Sequence, residues 1–157
     1  YSYNRPPRYF GLQTLRTAKC GGRSGAVSLM TAHNEMRSRF PNLLKRLYQP
    51  FWINRYSEHA PGEPPASFHP IYEYDGNELL ARFNPRNIYA GYKIAGKQLD
   101  AEGQEAIKAL NSIMAETSMH VNFYLAAGQA VYFHNGRWIV YNDTECDIRF
   151  HHTCDFM

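Results

Sequence analysis

LAAGQAVYFHNGRWIVYNDTECDIR, residues 125–149, is the stretch on which the reading of the fold turns. Tyr132, Phe133, Trp138, Ile139 and Val140 are strand formers, set in two short runs on either side of Asn135-Gly136. An Asn-Gly pair between such runs is the strongest local signal for a hairpin, because both central positions of its tight turn take a positive φ. The expectation is a β-hairpin in a sheet-rich core, followed by a polar tail that ends in Arg149. His134 lies beside that turn and reads as a hydrogen-bonded or solvent-facing imidazole rather than a ligand.

Working back toward the N-terminus, Met119 to Tyr124 reads as the strand that feeds this hairpin. Asp100 to Ser118 is the clearest helix: Asp100 can cap it, Glu102 and Glu105 suit its positive end, and Ile107, Leu110, Ile113 and Met114 form one apolar stripe. Pro85 to Ile94 has mixed character, with Tyr89 and Tyr92 free to line a pocket or pack on the sheet. Phe68 to Tyr74 and Glu78 to Phe83 read as a second hairpin around Asp75-Gly76-Asn77. Residues 58–66, EHAPGEPPA, form a surface loop, and Phe51 to Tyr56 a strand. Two short helices precede them, one from a Thr31 cap to Phe40 and one, opened by Pro41, from Asn42 to Tyr48. Tyr9 to Arg16 and Ala26 to Met30 read as strands joined by the Gly-rich turn Lys19 to Gly25, in which no Lys-Ser/Thr follows to make a phosphate loop. These elements add up to an α+β domain with a mostly antiparallel sheet and one or two covering helices.

The composition narrows the function classes. The chain has 157 residues, 44% of them hydrophobic and 15% aromatic, which suits one folded domain with a true core. Its net charge of +3 is spread without a basic run, so nucleic acid is not an expected partner. No apolar run is long enough to span a membrane. Cys20, Cys146 and Cys154 make an odd count without a Cys-x-x-Cys, which argues for unpaired thiols and an intracellular setting, cytoplasm or mitochondrion. Tyr1 in place of Met suggests that something upstream has been removed.

Three stretches resemble the taurine dioxygenase (TauD/TfdA)-like superfamily of Fe(II)- and 2-oxoglutarate-dependent oxygenases, including its trimethyllysine and γ-butyrobetaine hydroxylase branch. They are PPRYFGLQTLRTAKCGGRSGAVS (residues 6–28), NEMRSRFPNLLKRLYQPF (residues 34–51), and the helix from Leu99 followed by LAAGQAVYFHN (residues 125–135). The resemblance implies a double-stranded β-helix, here a single domain lacking the N-terminal part of the family fold. It also implies a facial triad in which a His-x-Asp pair and a distal His hold Fe(II). An Arg beyond the distal His would clamp 2-oxoglutarate through its planar fork.

The sequence departs from that pattern at the iron. The His-x-Asp pair would fall just ahead of Pro6-Pro7, and Tyr1 to Arg5 do not supply it. The family's Asn-x-x-x-Leu-His-x-Arg falls on Asn135-Gly-Arg-Trp-Ile139-Val140-Tyr-Asn142, so Val140 stands at the distal His and Asn142 at the Arg that follows. Gly128-Gln129 replaces the family's Gly-Asp. Arg149, nine residues after Val140, keeps the spacing of the carnitine-pathway oxo-acid clamp. The tail cluster Cys146, His151, His152 and Cys154 matches no zinc spacing.

The expectation is therefore a degenerate oxygenase with no catalytic residues, no metal and no resident cofactor, serving as an accessory or interaction subunit beside other protein subunits. The alternative is the C-terminal portion of an active dioxygenase, using Fe(II) and 2-oxoglutarate on a small amine- or carboxylate-bearing substrate. A third reading is a metal-free module that binds an oxo-acid through Arg149.

Overall fold

The computed structural model describes residues 7–56 and 59–142. In chain order these form β1 (Tyr9–Gln13), β2 (Arg23–Ser28), α1 (Leu29–Arg39), α2 (Pro41–Leu47), β3 (Pro50–Asn54), β4 (Ala66–Pro70), β5 (Tyr72–Tyr74) and β6 (Leu79–Ala81). Then come α3 (Pro85–Ile94), α4 (Ala101–Ala115), a 3-10 turn at Thr117–Met119, β7 (His120–Tyr124), β8 (Ala130–His134) and β9 (Trp138–Asn142). All strand pairs are antiparallel: β1 with β8, β2 between β7 and β9, β3 with β4, and β5 with β6. Everything from α1 to α4 is thus inserted between the early strands β1–β2 and the late strands β7–β9.

The core lies mainly in that insert. Leu29, Met36, Leu47, Phe51, Ile71, Tyr72, Ile88, Ile107, Leu110 and Ile113 are all sealed from water. The α4 stripe behaves as its 3.6-residue period requires, with Ala106, Ile107, Leu110 and Ile113 facing inward. Asp100 caps it, Oδ1 accepting from Gly103 N at 2.7 Å. The same carboxylate takes both guanidinium arms of Arg46, at 3.2 and 2.7 Å, and so fastens α2 to the start of α4. Arg46 is itself stacked over Phe51, 4.1 Å from its ring centre.

Several local expectations needed correction. The strand expected to run to Met30 ends at Ser28, whose Oγ accepts from Thr31 N at 3.2 Å; Ser28, not Thr31, caps α1. β2 therefore passes into α1 without a loop. The mixed segment is a helix, α3, because Asn84 caps it and Pro85 presets its first φ. Gly91 lets α3 lie directly on β3: a Cβ there would sit 2.5 Å from the Trp52 carbonyl oxygen. The single strand expected over Phe68 to Tyr74 breaks at Ile71, whose N–H donates to Leu47 O at 3.0 Å. Its first half pairs with β3, and only the second makes the hairpin with β6.

The largest correction concerns residues 130–142. β8 and β9 do not pair with each other; β8 belongs to the β1 sheet and β9 to the β2 sheet. Neither Asn135 nor Gly136 has a positive φ. Without the primed turn the two strands splay apart, and the corner carries the chain from one sheet to the other. Its backbone groups are satisfied elsewhere: Asn135 N donates to Arg8 O, Leu29 N to Arg137 O and Ala81 N to Gly136 O, at 2.9, 2.8 and 2.8 Å. A second difference is at Cys20, which is disulfide-bonded rather than free.

Candidate functional site

The two sheets meet through aromatic rings. Phe133 of β8 packs on Phe10 of β1 at 5.5 Å between ring centres, on Phe123 of β7 at 6.1 Å and on Trp138 of β9 at 6.2 Å. Strand side chains alternate between faces, so Val140 shares the Trp138 face and points into this apolar space. It lies opposite Ala26 of β2, itself opposite Val121 of β7, which makes a row of three aliphatic side chains across the sheet. The isopropyl group of Val140 has no lone pair to offer a metal.

The turn ahead of β8 is closed by a glycine and a glutamine. Gly128 has φ +85°. Gln129 closes the loop by accepting from Ala126 N through Oε1 at 2.8 Å and by donating its own N–H to Ala126 O. An Asp is therefore not required to form this turn.

His134 faces away from the apolar space, as alternation from Phe133 demands. It sits at the edge of the Tyr9 ring, 5.2 Å between centres, with Nε2 3.8 Å from Glu78 and 3.4 Å from Arg8 Nε. Glu78 also receives Arg8 and Arg137, each at 2.5 Å, which ties β6 to the corner between β8 and β9. Burial alone would raise the Glu78 carboxyl, but Arg137 and Arg8 outweigh it and hold the group below its usual value. These partners lie 59 and 70 residues from Glu78, so no local pattern could have announced them.

The sequence also contains a His-x-Glu, at His33-Asn34-Glu35. It lies within α1, where positions two apart face different directions and cannot converge on one ion. His33 Nε2 is 2.8 Å from the Tyr48 hydroxyl, and its ring stands edge-on to Tyr72. Burial, helped by the charge of Arg37 and opposed by the Asn34 side chain, pushes this imidazole below its usual value. Glu35 instead faces Arg39 one turn on. This pair is structural.

Of the remaining sequence-derived positions, Arg149, Cys146, His151, His152, Cys154 and Tyr1 to Arg5 lie outside the described residues. Asn142 is the last residue of β9, in register with Ser24. Among the described residues no group of three or more His, Cys, Asp or Glu side chains could hold a metal ion. Nor is any helix there long and apolar enough to cross a membrane. The described donor set thus does not fit a facial triad.

A family model described as "Taurine catabolism dioxygenase TauD, TfdA family" matches residues 1–138. FR-33289 synthase of Streptomyces rubellomurinus is 29% identical over 124 residues, covering 78% of this chain and 36% of that protein. Among solved structures, a taurine dioxygenase from Burkholderia xenovorans superposes with a TM-score of 0.67 at 15% identity, over 92% of this chain and 49% of that one. The non-heme iron oxygenase OrfP, in complex with Fe and alpha-ketoglutaric acid, gives 0.54 at 13% identity, over 88% and 40%. The chain spans half or less of the length of each of these relatives.

Proposed function

This chain belongs to the taurine catabolism dioxygenase TauD, TfdA family, and on that premise we propose that it is a degenerate, non-catalytic member acting as an accessory or interaction subunit of a larger assembly. The reading is supported by the motif spacing that sets Val140 at the family's distal His position, in register with Ala26 and on the same face of β9 as Trp138. Replacing a ligand with an aliphatic group removes the coordination that orients both iron and oxo-acid, whatever the rest of the barrel retains.

The surface suits burial against other protein subunits. Tyr9, Tyr124 and Tyr132 are 62%, 69% and 76% exposed on the strands that flank the insert, and tyrosine is enriched where proteins meet. Placement in the hydroxylase branch rests on the spacing from Val140 to Arg149. The cytoplasmic or mitochondrial setting rested on unpaired thiols, a ground that the disulfide at Cys20 weakens.

The test is turnover. The full chain, loaded anaerobically with Fe(II) and then given 2-oxoglutarate and O₂, is expected to release no succinate above the protein-free control. Iron-dependent succinate and CO₂ would instead establish an active dioxygenase whose missing ligands come from outside the described residues. Calorimetry with 2-oxoglutarate on the chain and on Arg149→Ala decides the carboxylate clamp: equal heats remove Arg149 from the account.

A further inference from the structure

We propose that Asn135 is a gated deamidation site: Pro7 and Arg8, leading into β1, hold its side chain out of reaction, and loss of that hold converts it to aspartate or isoaspartate. Asn135-Gly136 is the one Asn-Gly pair in the chain. Glycine favours the reaction because, lacking a Cβ, it leaves its backbone nitrogen unhindered and free to rotate. The fold nevertheless uses both residues where they stand. A Cβ at position 136 would meet Leu80 Cδ2 at 2.9 Å, so glycine lets β6 pack against the corner. The Asn135 side chain donates from Nδ2 to Pro7 O at 2.9 Å, and a carbonyl only accepts, so the amide nitrogen must face it.

The chemistry needs only water. The Gly136 nitrogen, giving up its proton to solvent, attacks Asn135 Cγ. The new N–C bond closes a succinimide, and the Cγ–Nδ2 bond breaks to release ammonia. Water then opens the ring at either carbonyl and leaves aspartate or isoaspartate. Nδ2 is thus both the leaving group and the donor to Pro7. To bring Gly136 N onto Cγ, the peptide between the two residues must rotate. Hydrogen bonds oppose that rotation on both sides: Asn135 N to Arg8 O at 2.9 Å, Ala81 N to Gly136 O at 2.8 Å, and Arg137 N to His134 O at 3.0 Å.

Arg8 is the gate. Its backbone carbonyl takes the Asn135 N–H, and its guanidinium is anchored on Glu78 of the neighbouring turn. The release is one-way. Either product turns a carboxylate toward Pro7 O, and two acceptors cannot share a hydrogen bond, so the lost contact does not re-form. Isoaspartate also adds a backbone carbon between β8 and β9.

Peptide mapping of the full chain in mildly alkaline buffer, folded and in urea, tests the gate by following the mass gain and the isoaspartate fraction at Asn135. Breaking the Pro7 bond and one bond of the turn costs about fivefold each, so the folded chain should react about 25-fold more slowly than in urea. Arg8→Ala removes an exposed ion pair and should speed Asn135 about two- to fivefold in the folded chain, while Asn111, within α4, keeps its rate. A folded chain that reacts as fast as the chain in urea would overturn the proposal. An Arg8→Ala rate equal to the intact one, or an equal acceleration at Asn111, would remove Arg8 as the gate. Asn135→Asp supplies the product directly. Hydrogen exchange at the Tyr9 to Gly11 amides should quicken about fivefold, the worth of the lost bond, and unchanged exchange would overturn the one-way release.

Discussion

Between β2 and β7 the chain closes a core in which Leu47, Phe51, Leu110 and Ile113 are fully shielded from water. The strands on either side of that insert keep their aromatic side chains only partly covered, with Tyr9, Tyr124 and Tyr132 more than half exposed. The insert holds the sealed core, and the bracketing strands carry the more open surface. On the proposed reading, a ligand can be lost from the strands without unfolding the domain, because the sealed core lies in the insert. Val140, on the Trp138 face of β9 and in register with Ala26, leaves no polar atom to satisfy.

If that division is right, the largest stability loss comes from the insert. Phe51→Ala empties a sealed site under Arg46 and is expected to cost about 3–5 kcal/mol by urea unfolding, as buried aromatic truncations do. Phe133→Ala, in the half-covered space between the sheets, should cost less than half as much. Equal losses would break the comparison.

A smaller effect is expected from Gly25→Ala, where the new Cβ collides with the Tyr141 ring and forces it aside, at about 1–3 kcal/mol. Its chemical-shift changes should stay within β2, β7 and β9 and leave the insert untouched.

Smaller again is the ion pair that joins α2 to α4. Arg46, ahead of the Gly103 N–H, holds the Asp100 carboxyl down to about 2. A carboxyl lowered on folding adds stability that is full above its unfolded value of about 4 and is lost as pH falls through about 2. Asp100 is half exposed, so solvent screening reduces its worth to about 1 kcal/mol. Asp100→Asn, which keeps a capping oxygen, should remove that increment at neutral pH and flatten the acid limb of the stability curve.

The smallest effect is at the corner between β8 and β9. Glu78→Gln should loosen the hold of Arg8 and Arg137, seen as faster exchange at the Asn135 to Arg137 amides with the lowest fall in Tm of this set.

How legible this was follows from the range of each signal. α4 could be read from its cap and stripe because both lie within one local period, and the Asp75-Gly76-Asn77 hairpin from its own turn chemistry. The Asn135-Gly136 turn misled because long-range partners decide its outcome. Arg8, Leu29 and Ala81 take its backbone groups, and the strands part into separate sheets. Val140 was read from its place in a motif, yet its neighbours across the sheet, Ala26 and beyond it Val121, are set by strand register rather than by local sequence.

The most direct measurement is the iron content of the purified chain, alone and in whatever complex it is isolated from, after anaerobic exposure to Fe(II). The proposed reading, with Val140 at the distal position, predicts no stoichiometric iron and no ligand-field change on adding 2-oxoglutarate. One ferrous ion per chain, held by side chains of this polypeptide, would contradict the account.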